Sequence, residues 1–391
     1  MSDEKRYIEE LHSRIGVCEE DRSLFEKIIR TATAKRKEIL DDVNTLVNNV
    51  GLEYALAALY RQQVNSGFVL AEPLAEKEEK TFFDADTGIT FRMQWNPDRE
   101  LRKNHELLIE RGVIADKKKL DETKLINRDE NGKPCYLCKE NIDEQNPGEI
   151  LVKICLAGEE FYAGANFAYI TNNHFTIMST RHQRQRYRSE IPMILNDFVD
   201  KTSGYFRAVF NGLAGAFIKE HEHLQTTTEE FPIEQIKIKD RDIECESIGI
   251  RISKPDYYIP AWVVEGTDRT KVEIAVDKVI QAWYELSEKD EHTENIICTK
   301  AGELYRMFVI LRDKCKRAAK EAGKKGAMAA FETGGIIVLS YEGKNSKEIN
   351  ERETFENATL ETIKQMLKRI SPEQEKCVAV TKAIDFRDIT A

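Results

Sequence analysis

The chain has no apolar run that approaches the roughly 20 residues needed to span a bilayer, so no membrane-embedded function is expected. The opening residues, M-S-D-E-K-R-Y-I-E-E, are charged and contain no hydrophobic signal core. Excess positive charge is missing too: 59 lysines and arginines stand against 69 aspartates and glutamates, a net charge of −10. That balance argues against a generic nucleic-acid binder. Cysteine is sparse for a disulfide scaffold, eight in 391 residues. A reducing cytoplasm is expected, with most cysteines acting as small buried residues. What is left is an ordinary globular composition, 41% hydrophobic, in a chain long enough for two domains or one large internally duplicated fold.

Against that plain background, residues 211–225 read N-G-L-A-G-A-F-I-K-E-H-E-H-L-Q. Residues two apart on an extended strand share a face. His221, His223 and Gln225 would therefore line one face together. A neutral imidazole at His223 can attack phosphorus and hold it as a phosphoramidate, which is nucleophilic catalysis by histidine. Gln225 can donate to a phosphate oxygen without competing as a base. Just upstream, Gly212 and Gly215 are positions where a backbone can approach a phosphate closely. Two histidines at this spacing also occur by chance on a surface strand, and the motif alone does not separate the two readings.

A second element is Cys135-Tyr136-Leu137-Cys138, preceded by Gly132 and Pro134. Such a knuckle lets two thiolates reach one tetrahedral metal. There is no second C-x-x-C, so further ligands would have to be histidines. A redox pair and two unligated core thiols are the alternatives. A thioredoxin-like pair should open a helix, whereas residues 139–148 read as a polar loop. A third patch, residues 88–95 (G-I-T-F-R-M-Q-W), alternates as a strand does. It ends at Asn96-Pro97-Asp98-Arg99, with Arg102 following. A planar guanidinium can give a phosphate two parallel hydrogen bonds; a charged surface turn is the plain alternative.

In this order the three motifs resemble the galactose-1-phosphate uridylyltransferase branch of the histidine-triad superfamily, which includes diadenosine tetraphosphate phosphorylases. The branch's motif looks like N-x-G-x-x-x-G-(A/C)-S-x-x-H-x-H-x-Q. This chain keeps Asn211, Gly212, Gly215, Ala216, His221, His223 and Gln225, with altered glycine spacing and Phe217 where a serine is common. The resemblance implies that Asn96, Arg99, Arg102, Asn211, Gly212 and Gly215 meet the substrate, mainly its phosphates. It implies a structural zinc held by Cys135, Cys138, His182 and His221. His174 is the competitor for the third ligand and is otherwise expected near the nucleotide. It further implies that His223 forms a covalent nucleotidyl-histidine, with Gln225 beside it. The substrate would be a dinucleoside polyphosphate or nucleotide sugar, and phosphate or a sugar phosphate would be the acceptor. Hydrolases of the superfamily carry a histidine where this chain has Gln225, which favours transfer. A nucleotide hydrolase and a non-catalytic nucleotide sensor are the alternatives.

The expected fold is α+β: two histidine-triad-like halves with an antiparallel sheet, behind an N-terminal helical region. We place these at residues 1–80, 81–235 and 236–391. Residues 5–78 read as helical, a cap or a contact for a possible homodimer, with 77–80 as a charged linker. Residues 197–213 read as a helix leading into the core strand. Further on, 257–264, 304–312 and 334–339 read as strands, and 271–288 and 357–370 as helices. No H-x-H follows residue 223, so the second half is expected to lack the histidine pair. Arg312, Lys314, Lys316 and Arg317 read as a solvated face, or as cations that approach an anionic acceptor.

Overall fold

The computed structural model describes residues 3–70, 77–97, 99–100, 104–286, 291–317, 327–341 and 350–386. Four helices open the chain: α1 (Asp3–Ile15), α2 (Glu19–Arg30), α3 (Arg36–Asn49) and α4 (Leu52–Asn65). In α2, Glu19, Glu20 and Asp21 occupy the first turn, and Lys27 and Arg30 the last, matching the helix dipole. Every residue of α4 from Leu52 to Gln63 is buried, because α2 and α3 pack against it on one side and the main sheet lies on the other. The helical region thus ends at Asn65, short of the expected 78. The stretch expected as a linker instead begins a strand.

That strand is β1 (Glu78–Phe83), followed by β2 (Thr90–Trp95), α5 (His105–Glu110) and α6 (Lys139–Gln145). Residues 139–145 were expected as loop; they form a helix whose Ile142 is buried. The first half of the main sheet then follows: β3 (Leu151–Leu156), β4 (Glu159–Ala165), β5 (Phe175–Ser179), α7 (Ile191–Lys201), β6 (Arg207–Asn211) and β7 (His223–Thr227). Residues 197–213 are therefore not one helix. Ser203 and Gly204 turn the chain with positive φ, 49° and 68°. The aromatic and β-branched residues after them favour extended backbone.

The second half runs β8 (Ile243–Ser247), β9 (Ile250–Ser253), β10 (Ala261–Gly266), α8 (Arg269–Glu285), β11 (His292–Ala301) and β12 (Leu304–Asp313). The extended segment expected from 257 becomes a strand only after Pro260, at Ala261. α8 is capped by Asp268, whose side chain accepts from Lys271 N. The chain closes with α9 (Ala330–Thr333), β13 (Ile336–Leu339), α10 (Glu351–Glu356), α11 (Leu360–Arg369) and α12 (Gln374–Ala383).

The ten-stranded sheet has the order β3-β4-β5-β7-β6-β11-β12-β10-β9-β8, and every pairing in it is antiparallel. The two halves share one topology: three successive strands, a helix, then two strands added in reversed order. They join edge to edge where β6 meets β11, with Asn211 opposite Asn295. The fold is accordingly α+β with duplicated halves, read from the strand order itself.

Both faces of the sheet are covered. Phe175, Ile177, Ala208, Phe210 and Leu224 share one core with α7, α8 and the N-terminal helices. Val209, Ile297, Phe308 and Ile310 point the other way, into a core with Phe91, Met93, Trp95 and Phe331. This second cover includes a small sheet in which β2 pairs antiparallel to β1 and parallel to β13. Residues after β12 thus return to pack with residues that precede the first half. No helix of the described residues is long and apolar enough to cross a membrane.

Candidate active site

His223 opens β7, opposite Met178 on β5, and Gln225 lies opposite Thr176 on β5 and Val209 on β6. The His223 ring is almost enclosed, with Nδ1 2.9 Å from the His221 carbonyl oxygen. A carbonyl only accepts, so Nδ1 carries the proton and the lone pair stands on Nε2. Burial holds the pKa of His223 down at about 4, so the ring is neutral at pH 7. A neutral imidazole with a fixed tautomer is the form that can act as a nucleophile.

The backbone of His223 is held by Gln185, a fully buried side chain that sequence reasoning missed. Its Oε1 accepts from His223 N at 2.7 Å, and its Nε2 donates to His223 O at 3.0 Å and to Asn211 O at 2.7 Å. One amide thus ties the end of β6 to the start of β7. Nothing in the polar run R-H-Q-R-Q at 181–185 marks this glutamine as buried.

The four residues expected as metal ligands come together. The ligand atoms of Cys135, Cys138, His182 and His221 all lie within 4.8 Å of one another. His221 Nδ1 is 3.4 Å from Cys135 Sγ and 3.6 Å from Cys138 Sγ, and His182 Nδ1 is 3.4 Å from Cys138 Sγ. A tetrahedral ion with bonds of about 2.3 Å to sulfur and 2.05 Å to nitrogen has S–N edges of about 3.6 Å, so the donor set fits such an ion. His221 Nε2 donates to the Ser179 carbonyl at 2.7 Å, which leaves the Nδ1 lone pair facing the sulfurs. Asn127 Nδ2 donates to Cys138 Sγ at 3.1 Å and Leu137 N to Cys135 Sγ at 3.4 Å, contacts that support thiolates. Cys135 is held well below the usual thiol range, first by the Cys138 thiol beside it, against burial, and then by His221. All eight cysteines are free thiols. Cys138 does open helix α6, so a helix after the pair no longer separates the metal and redox readings. The two imidazoles on the sulfurs do. His174 is not in this cluster.

The glycines do not line an open cradle. A Cβ on Gly212 would sit 2.2 Å from Thr293 Oγ1 and 2.6 Å from Glu294 Oε1, and one on Gly215 2.7 Å from Asn211 Oδ1. Glycine is required here by the approach of β11. The amides of Gly215 and Ala216 donate to Gly212 O at 3.0 and 2.9 Å. Asn211 Oδ1 accepts from Asn295 Nδ2 at 3.0 Å and from Ala330 N at 2.8 Å. Arg312 Nη1 donates to Asn295 Oδ1 at 2.7 Å and to Met328 O at 3.0 Å. Arg312, expected on a solvated face, is fully buried. Arg317 donates to Ala214 O and Ala216 O, both at 2.9 Å. Asn295 and Arg312 thus belong to the site's support, and both come from the second half.

His174 and Arg99 form a separate group. His174 precedes β5, four residues before Met178, so it lies about 13 Å along the strand from His223 at the usual rise per residue. Its Nδ1 accepts from Ile170 N at 3.2 Å, so Nε2 carries the proton; that atom is buried without a partner among the described residues, and the ring lies 5.4 Å from that of Phe331. Burial, and next the Arg99 guanidinium, hold its pKa down at about 3. Arg99 donates to Ala168 O at 3.1 Å. Asn96 is buried at the end of β2, its amide bonded to Leu339 O at 2.8 Å. Arg102 lies outside the described residues.

With this geometry in view, the likeness to known proteins is limited. No curated protein matches the chain. A family described as a domain of unknown function (DUF4922) matches residues 72–228. Among solved structures, yeast Ap4A phosphorylase Apa2 in complex with AMP is similar at 13% identity and a TM-score of 0.47, over 81% of this chain and 98% of that one. The same yeast protein in complex with Ap4A is similar at 13% identity and a TM-score of 0.48, over 80% and 97%. At this level of identity and overlap, neither likeness says what the chain does.

Proposed function

We propose that the chain is a nucleotidyltransferase of the phosphorylase type. It acts on a dinucleoside polyphosphate or a nucleotide sugar through a nucleotidyl-histidine at His223. The observation that carries this reading is the His223 tautomer: Nδ1–H is spent on the His221 carbonyl, so the buried ring presents its Nε2 lone pair. That lone pair attacks the α-phosphorus. The N–P bond forms as the P–O bond to the leaving group breaks, and the leaving oxygen keeps the electron pair. Nδ1 retains its proton, and the positive charge on the ring is stabilised by the carbonyl it faces. An oxygen of inorganic phosphate or a sugar phosphate then attacks the same phosphorus, and the N–P electrons return to Nε2. Gln225, partly exposed beside His223, donates to a non-bridging oxygen. Asn96, Arg99, Arg102 and His174 contact the remainder of the substrate, with the His174 Nε2–H as an unspent buried donor.

Cys135, Cys138, His182 and His221 would hold a zinc ion, which would supply a structural tie between their segments. This chain's own part is positional. His221 is anchored through Ser179 and the two sulfurs, and the His221 carbonyl in turn anchors the proton of His223.

Transfer is favoured over hydrolysis because Gln225 cannot take a proton from water. The test is incubation with a panel of dinucleoside polyphosphates and nucleotide sugars, followed by intact-protein mass spectrometry. A nucleotidyl mass on His223 is expected, and labelled inorganic phosphate should enter the nucleoside diphosphate product. Turnover that ignores phosphate and yields only nucleoside monophosphate would make the protein a hydrolase. Absence of any adduct across the panel would remove the covalent step.

A further inference from the structure

Strand β7 begins at His223, so sheet pairing stops where His221 and Glu222 still have to be placed. Glu222, between the two histidines, is 1% exposed. Each of its polar groups is paired. Its N–H donates to Gln183 O at 2.6 Å, and its carbonyl accepts from Ser179 N at 3.0 Å. Its carboxylate takes a two-pronged grip from Arg188: Nε donates to Oε2 and Nη2 to Oε1, both at 2.9 Å. Arg188 is fixed by other carboxylates as well. Its Nη1 donates to Glu159 Oε1 at 2.6 Å and lies 3.4 Å from Glu190 Oε2. Arg181 holds the second oxygen of Glu159. Glu222 is not one of the clustered metal-ligand residues, and the proposed chemistry gives it no task.

A buried ion pair is a poor way to gain stability, because an apolar pair of similar volume is often as stable or more so. What it supplies is direction: a forked guanidinium meets a carboxylate in one plane. That direction reaches the site through the backbone. The His221 carbonyl and the Glu222 N–H belong to one planar peptide unit. The same carbonyl takes the proton of His223 Nδ1, at 2.9 Å. Holding Glu222 therefore aims the carbonyl that selects the His223 tautomer. We propose that Arg188 is a positioning residue: acting through Glu222, it orients the His221–Glu222 peptide and so keeps the His223 Nε2 lone pair free. The role differs from that of Gln185, which holds the backbone of His223 itself. Only the labelling arm of the test rests on the reading of His223 as nucleophile.

The test uses the full chain with isotopically nitrogen-labelled histidine. Long-range proton–nitrogen spectra distinguish a protonated ring nitrogen from a bare one. Seven histidines contribute signals, and the one lost in His223→Ala is that of His223. The parent should show His223 protonated at Nδ1. Arg188→Met leaves a buried carboxylate unpaired and should lower stability whatever its role. Arg188→Met combined with Glu222→Leu removes that charge, so the urea midpoint should return toward the parent's. In this double variant His223 should still exchange between tautomers. Its labelling at saturating substrate should slow about thirtyfold, with the half-saturating concentration within about threefold of the parent. Arg188→Lys keeps the charge without the fork and should lie between the two. A double variant that keeps the parent tautomer would overturn the role, whatever its labelling rate. Absence of an adduct in the parent would remove the nucleophile instead, and the tautomer of the double variant would still decide the role of Arg188.

Discussion

Gln185→Met is the most demanding test of how the site is held. Methionine keeps the length and most of the volume of glutamine but makes none of its hydrogen bonds. Three backbone groups would lose a partner: His223 N–H, His223 C=O and Asn211 C=O. A buried polar group left unpaired costs about 1–3 kcal/mol. Three would cost about 3–9 kcal/mol if nothing relaxed. Some rearrangement of the 181–187 loop lowers this to about 4 kcal/mol, still large for one substitution. Urea denaturation at unchanged m reads the loss directly. Gln183→Met is the matched control, since its side-chain nitrogen has no partner to lose among the described residues. It should stay within about 1 kcal/mol. The folded fraction of Gln185→Met should also label His223 about a hundredfold more slowly, because a nucleophile displaced by about 1 Å loses that much. If Gln185→Met is no less stable than the control and labels at the parent rate, the clamp is not what positions His223.

Three further outcomes are expected. His223→Ala should lose turnover and covalent labelling by several orders of magnitude with the fold unchanged; activity within about tenfold of the parent would remove it as nucleophile. Elemental analysis should find about one zinc per chain, lost in Cys135→Ser and Cys138→Ser together with stability. His182→Ala should lose zinc as well, and His174→Ala should keep it. Glu294 takes up its proton at about 7 in the folded chain, because burial disfavours its charge, against 4.5 ordinarily. The folded state then binds the extra proton between those values, so stability should fall as pH rises from about 4.5 to about 7 and level off above. Glu294→Gln keeps an acceptor for the Tyr284 hydroxyl, at 2.8 Å in the parent, and should make that slope shallower in pH-dependent denaturation, leaving the share of Glu149, which burial also holds up at about 7.

Short-range patterns carried much of the site into view. An i, i+2 spacing would put His221 and His223 on one face of an extended strand, but β7 begins at His223 and His221 lies just before it; C-x-x-C brings two sulfurs together by local geometry alone. The structure gathers His182 with them, 44 residues from Cys138, a placement that the family resemblance indicated and spacing could not. Gln185, Asn295 and Arg312 were not legible. Each is an unremarkable polar residue until strand pairing brings it to a partner 26, 84 or 17 positions away. The glycines show the opposite failure. Their chemistry permitted a phosphate loop, but only the position of β11 reveals that neighbouring strands fill the space a side chain would take. The helix at 139–145 and the strand at 207–211 were misread because short elements are decided by packing more than by local preference.

Duplication explains why the second half matters to a site whose histidines lie in the first. The halves meet at β6 and β11, so the residues opposite Asn211 belong to the copy without the histidine pair. Arg312 is the sharpest case. It is fully buried, and no carboxylate lies within ion-pair distance of it among the described residues. Burial holds its pKa down at about 10, yet it stays charged at pH 7. An apolar residue would pack there at lower cost. The arginine instead holds Asn295 by its oxygen, which turns the Asn295 amide toward Asn211 Oδ1. Asn211 O accepts from Gln185, and Gln185 holds His223. A buried cation in one half is thus joined by three side chains to the proposed nucleophile in the other.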